Sequence, residues 1–261
     1  MMHTYNELLT DLKNMGINLG DKLLVHSSYK SLGEVEGGAE TVIQALKDAV
    51  GEQGTLILPT FTFDYVHRKN PVFDVKNTAS CVGYLTEVFR KSDGVIRSVH
   101  PTHSAAVWGK DKEYFVRNHR ADNVCVGENS PLFKLKDANG KILMIGCGIA
   151  RNTLIHGVEC FYKPPYAFRM DYTDPEYKRE YVCIDYDNHV TQEEFFHVYM
   201  EQYGYDQDYN KLRGLMEIRQ GQILDAESFL MDAATVWNTV LDKMKQEPYY
   251  FMKKRKEEKN G

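Results

Sequence analysis

Apolar residues fall into two patterns along the chain: short uninterrupted runs, and longer stretches where they recur every three or four positions. Residues 5–15 carry Leu8, Leu9, Leu12 and Met15 on one helical face and stop at Gly16. Residues 21–26, DKLLVH, are a continuous apolar run, which predicts a strand buried on both faces. A helix over 39–50 turns Val42, Ile43, Leu46 and Val50 inward, and 55–58 is a second strand leading into PTFTF. After irregular residues 64–80 come a helix over 82–90, an extended segment at 95–98, a strand at 105–108 and a helix over 110–119. A helical turn at NSPLFKL precedes a buried strand at 141–145. Gly146 and Gly148 then turn the chain into a helix opened by Asn152 and Thr153. Strands alternating with helices predict βαβ units and an α/β fold.

Beyond Tyr162 the texture changes. KPPY breaks the helix, 177–190 reads as strand and turn, and 192–202 and 226–244 read as amphipathic helices. No repeat, low-complexity linker or sharp shift in composition divides the chain. The expected organisation is one α/β domain over residues 1–250, with about 20–160 as its core and about 161–250 as a second part. Residues 251–261, which include the charge run KKRKEEKNG, are expected to be a disordered tail.

Composition narrows the classes. With 43% hydrophobic residues in 261, the chain can bury a large core. A net charge of −5 speaks against nucleic acid as a partner. The five cysteines, odd in number and without a CxxC pair, form neither a disulfide framework nor a zinc ribbon and fit a reducing cytoplasm. The opening MMHTYNELLTDLKNMG is a charged amphipathic helix rather than a signal peptide. No run reaches the roughly 18 apolar residues of a membrane span. The expectation is a soluble cytoplasmic protein with no membrane partner, and a homo-oligomer is left open.

Three segments could carry chemistry. HSSYKSLGEVEGG (residues 26–38) offers hydroxyls and glycines ahead of a helix start, suited to a phosphate or pyrophosphate. It is neither GxxxxGK[ST] nor GxGxxG, and an ordinary strand-to-helix connection reads the same way. HPTHS sets His100 and His103 around a proline. Metal ligation is one reading and structural hydrogen bonding the simpler one, since no HExxH is present. His156 and Glu159, spaced i, i+3, share a helix face. A carboxylate beside an imidazole fixes its tautomer, as a general base requires. An incidental surface pair has the same spacing, but this one follows a buried strand and a glycine turn. Cys147 and Cys160 lie among apolar residues, where a thiol loses reactivity.

The string LLVHSSYKSLGEVEGGAETVIQALKDAVGEQGTLILPTFTF resembles the opening of the aminoglycoside 3-N-acetyltransferase family. VGYLTEVFR, VIRSVHPTHSAAVWGK, VGENSPLFKL and KILMIGCGIARNTLIHGVE match that family's later blocks in the same order, so the resemblance covers about residues 21–159. It implies an α/β/α layered fold with a mixed, largely parallel sheet. It implies transfer of acetyl from acetyl-CoA, as cosubstrate, to an amine of an amino sugar, with no metal expected. By the same resemblance His156 is the general base and Glu159 its carboxylate. Ser27, Ser28, Ser31, Leu32, Gly33 and Val35 match the segment that holds pantetheine and phosphates. His100, His103 and Ser104 match the supporting block, with Ser104 or amides of 28–33 candidates for stabilising an oxyanion.

Departures bear on the acceptor. Residues 64–78 are short where many family members carry a longer insertion, and nothing beyond Tyr162 matches closely. Asp171, Asp174, Glu176, Asp185 and Asp187 could meet a polycationic aminoglycoside or form a solvated face. A nucleotide-linked 3-amino-dideoxyhexose is the other acceptor. The other readings are a metal-dependent hydrolase built on His100, His103, His156 and Glu159, and a scaffold that binds CoA without catalysis.

Overall fold

The computed structural model describes residues 2–167, 180–193 and 205–255. Its centre is a seven-stranded sheet, taken here in spatial order. The strands are β10 (Arg219–Ile223), β11 (Ala226–Asp232), β6 (Lys141–Ile145), β1 (Lys22–Ser27), β2 (Thr55–Pro59), β5 (Ala105–Gly109) and β4 (Ile96–Arg97). The continuous apolar strands β6, β1 and β2 are parallel neighbours at the middle, and the outer strands pair antiparallel. Strands flanked on both faces need apolar residues at every position, which is why these segments read as runs.

Successive side chains of each strand feed opposite layers. Leu23 and Val25, Leu56 and Leu58, and Leu143 and Ile145 pack with helices α1 (Tyr5–Asn14), α2 (Gly38–Val50) and α3 (Tyr84–Phe89). Leu24, Ile57, Ile142 and Met144 pack against α5 (Pro131–Asp137), α6 (Leu154–Tyr162) and α7 (Ala233–Gln246), with Trp237 in that layer. The result is a three-layered α/β/α sandwich. A capping box between Thr4 and Glu7 starts α1, and Ser130 with Pro131 starts α5.

A small second sheet, β3 (Val72–Asp74), β7 (Tyr181–Ile184) and β8 (Val190–Glu193), encloses Phe73, Val75, Tyr181 and Cys183. Arg97 ties it to the main sheet. Its backbone N–H donates to the Tyr186 hydroxyl at 2.7 Å, and its guanidinium donates to the carbonyls of Thr60 and Thr78, both at 2.6 Å. Burial pulls this guanidinium down to about 9, and carbonyl and hydroxyl oxygens take the place of an acidic partner.

Three expectations change. Residues 226–244 are not one helix: 226–232 form β11, and Asp232 caps α7 by accepting from the N–H of Thr235 at 2.7 Å. β11 lies between β10 and β6, where a strand buries Phe229 and Met231 on one face and Leu230 on the other. The helix expected over 110–119 is shorter, α4 (Lys112–Val116), followed by a single 3-10 turn at His119–Ala121. Order also runs past residue 250. Phe251 is fully buried, and β12 (Met252–Lys254) pairs with β9 (Tyr205–Gln207). Residues 194–202 of the expected helix and the last six residues of the chain lie outside the described residues. Among the described residues no helix is long and apolar enough to cross a membrane.

Candidate active site

β1, β2 and β6 run parallel, so their carboxyl ends meet on one edge of the sheet, where α/β proteins bind ligands. A cavity of about 490 Å³ opens there. Its walls include Ser27 at the end of β1, Pro59 at the end of β2, Cys147 just after β6, and Thr153 and His156 at the start of α6. The loops after β1 and β6 are knitted together. Ser28 N–H donates to Ile145 O at 2.8 Å, and Ser31 Oγ donates to Ser28 Oγ at 2.8 Å. A side chain at Gly146, where φ is +63°, would place its Cβ 2.4 Å from Ser31 Cβ, so this close approach requires glycine.

His156 and Glu159 meet as their spacing predicts. His156 Nδ1 lies 2.8 Å from Glu159 Oε2, the imidazole one-fifth exposed and the carboxylate completely buried. A carboxylate only accepts, so Nδ1 carries the hydrogen and Nε2 keeps the lone pair. A buried charge is costly unless hydrogen-bonded. Glu159 is supplied by Tyr166, whose hydroxyl donates to Oε1 at 2.9 Å, and by Tyr209, at 2.9 and 2.8 Å from the two oxygens. Burial first, then the Glu159 charge, pushes both phenols above their ordinary range, so both remain donors.

The other expected residues spread out. His103 is on the cavity wall, against Phe61 and Phe63. His100 is fully buried behind it: its Nδ1 accepts the backbone N–H of His103 at 2.9 Å and of Thr102 at 3.3 Å, and its ring stacks on His119 at 4.7 Å. Ser104 is buried too, its hydroxyl donating to Thr60 O at 2.8 Å and accepting from Arg97 Nε at 2.9 Å. That engagement leaves Ser104 off the cavity wall.

Of the six donor-side residues, only Ser27 lines the cavity. Leu32 and Val35 belong to the core, and Gly33, at φ +78°, sits against Asp225 and His3. The hydrolase reading fails on geometry. His100, His103, His156 and Glu159 do not converge into a ligand set, and the one group of close-set ligand atoms among the described residues is Asp185, Asp187 and His189 on the second sheet. Asp171, Asp174 and Glu176 lie outside the described residues.

The sequence reading missed Tyr166, Tyr209 and His26. His26, from the buried run DKLLVH, lines the cavity with its Nε2 3.4 Å from Thr153 Oγ1. Burial holds it down at about 4, so it is neutral at pH 7. Cys147 lines the cavity as well, with burial pushing its thiol up to about 11, a poor nucleophile. Cys160 is buried, its Sγ 3.3 Å from that of Cys125.

A carboxylate that orients an imidazole on α6, beside a cavity at the strand ends, is the arrangement that acid–base chemistry requires. The family model for aminoglycoside 3-N-acetyltransferase matches residues 24–245, and the chain belongs to that family. It is 33% identical over 183 residues to the SPbeta prophage-derived aminoglycoside N(3')-acetyltransferase-like protein YokD of Bacillus subtilis (strain 168), covering 62% of this chain and 66% of that one. It is 30% identical over 190 residues to aminoglycoside N(3)-acetyltransferase III of Serratia marcescens, covering 67% of this chain and 70% of the relative. The aligned parts thus span about two thirds of these relatives. Among solved structures, AAC-IIIb in binary complex with CoASH superposes with a TM-score of 0.76 at 26% identity, over 94% of this chain and 97% of that one.

Proposed function

We propose that the protein is an acetyl-CoA-dependent N-acetyltransferase acting on a primary amine of an amino sugar, with His156 as general base. One observation carries the reading: on the wall of a 490 Å³ cavity, His156 is locked by a fully buried Glu159 into the tautomer that leaves Nε2 free to accept a proton. A solved relative binding CoASH, and relatives named for N-acetyl transfer to aminoglycosides, support acetyl-CoA as the donor.

The step needs little else. The acceptor ammonium first gives one proton to solvent, and Nε2 of His156 takes a second from the resulting amine as its nitrogen bonds to the thioester carbonyl carbon. The C–S bond then breaks, the amide leaves, and the CoA thiolate recovers the proton from the imidazolium. Weakly acidic Cys147 takes no covalent part.

Two acceptors fit the chemistry: the 3-amine of an aminoglycoside and a nucleotide-linked 3-amino-dideoxyhexose. The described cavity walls contain no Asp or Glu, while Arg151 is on them. A polycation would find no counter-charge on those walls, and a phosphate would find one, which favours the nucleotide-linked sugar. The test is release of free CoA thiol from acetyl-CoA by purified protein, with thymidine-diphosphate 3-amino-3,6-dideoxyhexose beside kanamycin and sisomicin. Faster release with the sugar nucleotide supports this reading. Faster release with the antibiotics reverses the acceptor, and no release with any amine overturns the activity.

A further inference from the structure

The hydroxyl of Tyr209 touches both members of the base pair. It lies 2.8 and 2.9 Å from the two oxygens of Glu159 and 3.2 Å from Nδ1 of His156, with the two rings edge to face at 5.6 Å. Tyr166 reaches Glu159 Oε1 alone. We propose that Tyr209 is the positioning residue of this site: its hydroxyl holds the Glu159 carboxylate in register with His156 and weakens the hold of the imidazole on its proton. The proposal rests on His156 as general base.

The physical reason lies in how the carboxylate charge is met. The described donors to Glu159 are two phenols and an imidazole N–H, with no lysine or arginine among them. While His156 is protonated, the imidazolium itself answers the buried charge. Once His156 is neutral, the carboxylate depends more heavily on the O–H donors. Those donors therefore stabilise the neutral-imidazole state more than the protonated one, keeping the base free to lower pH.

One contact opposes this. A phenol oxygen accepting from Nδ1–H favours imidazolium, but at 3.2 Å it is weaker than the 2.8 Å bonds to the carboxylate. Other titratable groups near the pair are Cys160 on the same helix, Cys125 against it, and His26, His103 and Arg151 on the shared cavity wall. Tyr209 itself is held firmly. It is 1% exposed, and the neighbouring Asp208 N–H donates to Phe251 O at 2.7 Å, beside the β9–β12 pairing.

The test is a 15N-histidine NMR titration of the full chain without substrates, with the His156 signal assigned by H156Q. In Tyr209→Phe the titration midpoint of His156 should rise by about one pH unit, the scale of a hydrogen bond to a charged group. Tyr166→Phe, which keeps the contact nearest the imidazole, should raise it by less. Among acceptors that turn over, Y209F should lower kcat about tenfold with KM for acetyl-CoA unchanged, and the acid limb of its rate–pH profile should move up with the midpoint. An unmoved midpoint in a Y209F protein that melts as the parent does would overturn the proposal. Failure of the base reading looks different: H156A would then keep its turnover, whatever the midpoint of Y209F.

Discussion

Residues 22–162 and residues 163–255 build one site in different ways. The first stretch delivers its groups locally: β1 ends in His26 and Ser27, β6 runs through a glycine turn into α6, and α6 carries His156 and Glu159 three residues apart. The second stretch contributes Tyr166 and Tyr209, and Tyr209 meets a partner 50 residues back along the chain. One region holds the imidazole proposed as the base, the other decides what surrounds its carboxylate. Chemistry can therefore be encoded in a short motif while the electrostatics that tune it come from a distant segment.

The sharpest way to break this comparison is within the first region. His156→Ala should cut turnover roughly 10²–10⁴-fold, the usual worth of a positioned base, with acetyl-CoA binding unchanged by calorimetry. A loss no greater than that of Y209F would erase the distinction between the two regions. Next is the joint between them. Arg97→Met takes the guanidinium donor from the Thr78 carbonyl, leaves Thr60 O with Ser104 as its remaining side-chain donor, and should cost roughly 4 kcal/mol in urea unfolding.

Gly146→Ala combines a positive φ with a Cβ pressed on Ser31 and should cost about 3 kcal/mol, again confined to the first region. Acid sensitivity should map there too. Burial holds His26 at about 4 and His119 at about 3, below the ordinary 6.5. The unfolded chain takes up these protons below pH 6.5 while the native chain does not, so stability is full above 6.5 and falls with pH. Each histidine should remove up to about 2 kcal/mol between pH 6.5 and pH 5, and His119→Asn should flatten the curve. The smallest effect expected is in the second region, where Lys243→Ala breaks a surface pair with Glu247 and should change stability by less than about 0.5 kcal/mol.

The two regions were unequally legible for a physical reason. From Asp21 to Glu159, buried parallel strands must be apolar at every position and helices must be apolar on one face, so both leave periodic marks. His156 and Glu159 were legible because spacing on a helix dictates proximity. The segment AESFLMD defeated this logic: its apolar residues suit a helix face as well as a strand buried on both sides, and its place between β10 and β6 settles the matter. Tyr209 and Tyr166 carried no mark, since a buried tyrosine looks like any core aromatic until its hydroxyl has a partner.

Sequence alone therefore determined the α/β class, through the alternation of strand and helix patterns, and the His156–Glu159 pair, through spacing on one helix face. Only the tertiary structure decided that the three central strands end at a common cavity, that Ser104 and His100 are engaged behind it, and that two phenols supply a fully buried carboxylate. Those outcomes depend on contacts between segments far apart in the chain. Such contacts are selected by burial and hydrogen-bond satisfaction in the folded core, which no local pattern records.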